Sequence, residues 1–142
     1  MRHIILGNQS ADLDSIASTI ALSISLGQAF APVINVLKKD LYLRKDVLFL
    51  FKRLAIDLKH LYFLSDLPQF LSEAKLGKLR LILVDHNNLA YDQKEWAPFV
   101  DEIIDHHHDE QVHYPQLKSK TLAHVGSTAT LVAEILKDRL TI

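Results

Sequence analysis

The stretch Leu81-Ile82-Leu83-Val84-Asp85-His86-Asn87 sets four aliphatic residues directly against a carboxylate, an imidazole and an amide. An apolar run without polar alternation reads as a central strand of a parallel sheet covered on both faces. The abrupt change at Asp85 then marks the carboxyl end of that strand. Two other stretches have the same form. Ile4-Ile5-Leu6 runs into Gly7-Asn8 and then Asp12 and Asp14, and Val100 to Ile104 runs into Asp105-His106-His107-His108-Asp109. In open parallel sheets ligands bind beyond the carboxyl ends of the strands, near the switch in strand order. Three polar clusters at three such ends are expected to converge on one site.

Working outward, residues 2–6 form a first strand that stops at Gly7. A helix follows from about Leu13 to Gln28, with Asp12 or Asp14 as its cap and Gly27 as its stop signal. Residues 33–37 read as a second strand. Helical spacing of Leu43, Val47, Leu50, Leu54 and Leu58 predicts a helix between Asp40 and Lys59. A short third strand covers 61–64, and Asp66 opens a helix with Pro68 in its first turn, ending near Gly77. The strands at 81–84 and 100–104 follow, then an irregular stretch over 109–124. Gly126-Ser127-Thr128 precedes a last helix to about Asp138. Strands alternating with helices predict an α/β fold, a Rossmann-like parallel sheet of about five strands with helices on both faces. No linker or internal repeat divides the chain, so its 142 residues are read as one domain.

The formal net charge of −1 offers no global attraction to nucleic acid or anionic membranes, and neither is expected as a partner. The absence of cysteine excludes disulfides and thiolate metal sites. No apolar stretch approaches the roughly 20 residues that span a bilayer, and the first residues lack a secretory h-region. A cytoplasmic location is expected.

Each polar cluster has an ordinary structural explanation. Asp12 or Asp14 alone reads as a helix cap. Asp85-His86-Asn87 alone reads as a polar turn. Three adjacent histidines cannot all face one site, and Gly126-Ser127-Thr128 alone is a helix start whose backbone N–H groups could bind phosphate. Their joint occurrence at three strand ends points further. Carboxylates and imidazoles without sulfur favour Mn²⁺, Mg²⁺, Co²⁺ or Fe²⁺ over structural Zn²⁺. Four to six such ligands suit two ions bridged by a carboxylate, the arrangement that hydrolyses phosphate esters and anhydrides.

Four motifs in order, GNQSADLDSIAS (7–18), LVDHN (83–87), EIIDHHHDE (102–110) and VGSTATLVAEIL (125–136), resemble the DHH phosphoesterase superfamily over nearly the whole chain. Asn8, where pyrophosphatases of this superfamily carry a metal-binding histidine, is similar to exopolyphosphatases and Prune proteins. Asp105-His106-His107 keeps the DHH that Prune proteins typically change to DHR. The resemblance implies Asp12 as ligand of one metal, Asp14 and His106 as ligands of the other, and Asp85 as the bridging carboxylate. It implies His107 as a contact to the substrate phosphate and Asn8 as a weak ligand or substrate contact. His86, Asn87 and Asp105 would orient the ligands. Lys38 and Lys39, with Arg44 and Lys45, are candidates to meet a polyanionic substrate.

The superfamily also has a further metal-binding Asp beyond the last helix, and a C-terminal domain whose Lys and Arg residues grip the phosphates. The sequence reaches neither, so residues 1–142 are expected to be a truncated N-terminal catalytic domain awaiting a C-terminal domain or partner. The expected function is that of a metal-dependent phosphohydrolase, foremost an exopolyphosphatase that releases terminal phosphate from polyphosphate using Mn²⁺ or Mg²⁺. This chain alone is expected to be weakly active or inactive. A Prune-like binding module, an inorganic pyrophosphatase and another DHH phosphodiesterase are the alternatives.

Overall fold

A computed structural model describes the backbone of residues 1–140 and side chains through residue 138. Its centre is a parallel sheet of six strands: β1 (Arg2–Leu6), β2 (Phe30–Ile34), β3 (Tyr62–Phe63), β4 (Leu79–Val84), β5 (Val100–Asp105) and β6 (Ser119–Leu122). The order is β3-β2-β1-β4-β5-β6. From β1 the chain builds outward to β3, then returns to β4 on the other side of β1 and builds outward to β6. The strand order therefore switches between β1 and β4, the two strands that end in Asn8 and Asp85.

The strands alternate their side chains between two apolar layers. Ile4, Leu6, Leu81, Leu83 and Ile103 face α3 (Leu67–Lys75), whose Phe70, Leu71 and Ala74 cover them with Trp96 and Tyr114. Ile5, Ile82, Val84 and Ile104 face α1 (Leu13–Leu26) and α4 (Thr128–Leu140), represented by Leu22, Leu131 and Val132. On that same side α2 (Lys45–Leu54) packs Val47 and Phe51 against Ile16 and Ile20 of α1. Fully burying one such aliphatic side chain contributes about 1.5–3 kcal/mol, which explains why β1 and β4 read as unbroken apolar runs. Gly7 allows β1 to close on α1, since a Cβ there would lie 2.6 Å from Ser15 Oγ.

The α/β class and the parallel sheet match the reading of the sequence, and three details differ. The sixth strand, β6, lies in the stretch expected to be irregular; Ser-Lys-Thr-Leu is an exposed edge pairing only with β5, so it carries no apolar run. The second strand is Phe30–Ile34 rather than 33–37 and contains Pro32, opposite Ile5. Pro32 is tolerated because β3 pairs only with Val33 and Ile34, leaving no partner for its missing N–H. The helix expected over 40–59 divides into a 3-10 segment (Lys38–Leu43) and α2, which stops at the left-handed Ala55. No helix among the described residues is long and apolar enough to cross a membrane.

Candidate metal centre

The carboxyl ends of β1, β4 and β5 deliver their polar clusters to one place. Asp85 follows Val84 with φ +66°, a left-handed conformation uncommon for a residue with a side chain. Its neighbours hold it there. Asp85 N–H donates to the Ile104 carbonyl at 3.0 Å, and the Asp85 carbonyl accepts from Asn8 Nδ2 at 2.7 Å. The turn tucks the carboxylate into the protein, 1% exposed, where Oδ1 accepts the Thr128 hydroxyl at 2.9 Å. Burial pushes Asp85 up to about 6; the Thr128 hydrogen bond opposes this, and the Asp14 and Asp12 charges add to it.

His106 lies beside it. Nδ1 is 3.0 Å from the Val125 carbonyl, which can only accept, so Nδ1 carries the proton. Nε2 then turns toward Asp85 Oδ1 at 3.5 Å and Asp14 Oδ2 at 3.6 Å. A ring nitrogen facing two carboxylate oxygens offers three donor atoms to a cation between them. His107 is half-exposed, its Nδ1 2.6 Å from Asp105 Oδ1 and 3.8 Å from Asp85 Oδ1. Burial works against charge on His107, yet the hydrogen bond and charge of Asp105 hold its pKa above the ordinary value. Asp85, His106 and His107 each offer a ligand atom within 4.8 Å of the others. This donor set, one carboxylate and two imidazoles with no sulfur, fits a divalent cation.

Asp105 organises the turn that presents both histidines. Its fully buried Oδ1 accepts from the His106 and His107 N–H groups at 2.8 and 3.2 Å, and Oδ2 accepts Asn87 Nδ2 at 2.7 Å. Burial alone would raise its pKa, but hydrogen bonds from the His107 side chain, from Asn87 and from the His107 N–H hold it below the ordinary value. Asn87 also donates to the His108 carbonyl and accepts the Glu110 N–H, tying the end of β4 to the loop after β5. His86 Nδ1 is 3.0 Å from the Val84 carbonyl, and its Nε2 is buried without a hydrogen-bond partner among the described residues.

The remaining predicted residues have structural partners of their own. Asp12 caps α1, with Oδ1 accepting Ser15 N–H at 3.0 Å. Asp14 stands at the start of α4: Oδ2 accepts Thr128 N–H at 2.9 Å and Oδ1 accepts Ala129 N–H at 2.8 Å. The α4 backbone donors thus meet Asp14 from within the chain. Asn8 latches the first loop, since its Nδ2 holds the Asp85 carbonyl while its Oδ1 accepts Ser10 N–H. Lys38 and Lys39 are exposed on the 3-10 segment, and the Lys38 ammonium sits 5.8 Å over the Phe63 ring, without a hydrogen bond to the centre.

Sequence reasoning missed Thr128 as a partner of Asp85, although a Thr at a helix start was visible. It also missed Asn35 and Gln93. Asn35 Nδ2 holds the Gly7 carbonyl at 2.9 Å, and Gln93 Nε2 holds Asn35 Oδ1 at 2.7 Å, a buried amide pair bracing the first loop. A cavity of about 640 Å³ lies at the opposite end of the sheet among Ile24, Gly27, Leu54 and Tyr62, away from these groups.

Residues 2–141 match the family model described as the DHH family, N-terminal domain. The chain is 37% identical over 139 residues to Exopolyphosphatase PRUNE1 of Bos taurus, covering 93% of this chain and 30% of that protein. It is 35% identical over 138 residues to Exopolyphosphatase PRUNE1 of Homo sapiens and 36% identical over 138 residues to that of Rattus norvegicus, with the same shares covered. The chain thus spans 30% of the length of these curated relatives.

Proposed function

This chain belongs to the DHH family through its N-terminal domain, and from that footing we propose that it is the metal-binding catalytic domain of an exopolyphosphatase. The substrate is a linear polyphosphate, from which terminal phosphate is released. The observation that carries this reading is the convergence of Asp85, His106 and His107, with His106 Nε2 turned toward two carboxylate oxygens. The names of the three relatives support polyphosphate over other phosphoanhydrides.

In this reading Asp14, His106 and Asp85 would hold one divalent ion, and Asp12 with Asp85 would hold a second. Mn²⁺ or Mg²⁺ is preferred on ligand chemistry, with Co²⁺ next. When bound, such ions lower the pKa of water and neutralise charge on a phosphoryl group. The chain's own residues do the rest. As the imidazolium that Asp105 favours, His107 donates Nδ1–H to Asp105 and has Nε2–H available to donate to a phosphoryl oxygen. Asp105, held by Asn87, fixes the His107 imidazole and the Val125 carbonyl fixes that of His106, so little reorganisation is required on binding. His86 adds rigidity through the Val84 carbonyl. Asn8 orients the Asp85 backbone and lies where a terminal phosphate would enter, and Lys38 and Lys39 meet the remaining charge of the substrate. A C-terminal domain or partner supplies further phosphate contacts.

A second reading is a binding module that keeps the fold without hydrolysis. One observation favours it: both Asp14 oxygens already accept α4 backbone hydrogen bonds, which weakens the metal position shared with His106. Phosphate release from polyphosphate with Mn²⁺ or Mg²⁺, beside calorimetric metal titration, separates the two. Release that requires metal and disappears in Asp85→Asn supports the hydrolase. Metal binding without release supports the binding module, and absence of both refutes the metal centre.

A further inference from the structure

The stretch from Lys38 to Lys59 holds seven of the chain's 16 Lys and Arg residues but only three of its 17 Asp and Glu residues. All seven are exposed except Arg44, which is half-buried. Among the described residues none of the seven stands in an ion pair, whereas Arg2, Lys75, Lys118 and Lys120 all do. The near-neutral net charge therefore conceals one strip of positive charge that, among the described residues, stands outside any ion pair. Fields of this kind raise the local concentration of polyanions.

The strip begins at the metal centre. The Arg44 guanidinium donates to the Ser10 carbonyl, in the β1–α1 loop that carries Asn8 and Asp12. Lys45 then opens α2, which runs toward the opposite end of the sheet, where Leu54 lines the large cavity. Lys52 and Arg53 stand on its last turns, about 10–12 Å beyond Lys45 at 1.5 Å per residue. A diphosphate or triphosphate at the centre does not extend that far, but a longer linear chain does.

We propose that the face made by the 3-10 segment and α2 holds the trailing part of a linear polyanion whose end occupies the metal centre. The strip makes the domain selective for chain length: Arg44 and Lys45 receive the segment leaving the site, and Lys52 and Arg53 receive the next. This inference rests on the polyphosphate reading above and adds where the chain runs. Solvation alone explains many charged surfaces; this one is set apart by its start at the Ser10 carbonyl, in the loop carrying Asp12. Exposed Leu43 (78%) and Phe49 (67%) on the same face give an anionic membrane as the competing occupant.

The test is equilibrium titration of the 142-residue chain, its fold verified by circular dichroism, with long-chain linear polyphosphate and with tripolyphosphate. Wild type, Lys52→Gln/Arg53→Gln and Phe49→Ser are compared, with phosphatidylserine-containing vesicles as a third probe. The double variant is expected to bind long-chain polyphosphate about tenfold more weakly at low salt. Its slope of log affinity against log salt should be shallower by roughly 1.4, at about 0.7 per lost phosphate contact. Its tripolyphosphate affinity should equal that of wild type. Equal long-chain affinity in the double variant and wild type overturns the strip while leaving the polyphosphate reading intact. Wild type that binds neither polyphosphate overturns both. Vesicle binding lost in Phe49→Ser, without discrimination between the polyphosphates, assigns the face to membranes instead.

Discussion

Replacing Asp85 by Asn should make the metal-free protein more stable while abolishing its metal response. Asp85 is 1% exposed and its carboxyl is pushed from 3.8 up to about 6, chiefly by burial, with the Asp14 and Asp12 charges adding. The folded protein therefore holds a proton here that the unfolded chain has released between those two values. Stability falls as pH rises across that window, and the full cost of the buried charge is present above it. A shift of about two units corresponds to roughly 3 kcal/mol at 1.36 kcal/mol per unit. Asn removes that cost without disturbing the local shape. It tolerates the left-handed backbone at φ +66°, and its carbonyl can still accept the Thr128 hydroxyl.

Urea unfolding in the presence of a chelator measures this directly. Near pH 7 the variant should exceed wild type by about 1–3 kcal/mol, and the difference should shrink toward zero as pH falls below the ordinary carboxylate range. Added Mn²⁺ should raise the midpoint of wild type by mass action and leave the variant unmoved. A variant less stable than wild type in chelator, or a difference that does not change between neutral and acidic pH, refutes the argument from buried charge. Metal stabilisation of both proteins alike refutes Asp85 as a ligand.

Three further outcomes follow from the geometry. Asn87→Ala strands the Asp105 carboxylate, the His108 carbonyl and the Glu110 N–H, and should cost about 2–4 kcal/mol by urea denaturation; a loss within 0.5 kcal/mol contradicts the bridging role. Gly7→Ala brings a Cβ to 2.6 Å from Ser15 Oγ and 3.1 Å from Thr19 Oγ1, and should lower stability by about 1–3 kcal/mol, seen as a reduced thermal midpoint. His3 is held below its ordinary value of 6.5 by burial, against the raising effect of Asp101. Its contribution is complete above pH 6.5 and is lost as pH falls through that value toward the lower folded one; His3→Phe, which keeps the stack on Phe30, should flatten that part of the stability profile.

Apolar residues set directly before ligand-type residues located β1, β4 and β5, because the strand ends beside the site are buried on both faces. Edge elements escaped the same logic. β6 is short, exposed and polar, and β2 contains a proline that only its sheet context makes acceptable. The site was legible as a set of residue types, but its bonding was not. Asp14 and Ala129 are separated by 115 positions, and nothing local in either segment announces that one carboxylate will start the other's helix. The Asn35–Gln93 pair is invisible for the same reason, since each amide is an ordinary polar residue until the fold buries both.

Capping and metal ligation looked like competing explanations of Asp12 and Asp14 in the sequence, and the geometry makes them compatible. An ionised carboxylate offers about four lone-pair sites. Asp12 uses one oxygen to cap α1, and Asp14 accepts Thr128 N–H on Oδ2 and both Ala129 N–H and the Ser18 hydroxyl on Oδ1, so acceptor capacity remains on both residues. The N-termini of two helices are thus anchored by acidic residues grouped around Asp85, and Thr128, the first residue of α4, closes the circle through its hydroxyl. Helix dipoles directed at these carboxylates offset part of their mutual repulsion. An acidic cluster that would otherwise strain the fold is held together by the same backbone groups that begin its helices. A cation entering between Asp85, Asp14 and His106 would complete a charge balance the chain has only half supplied.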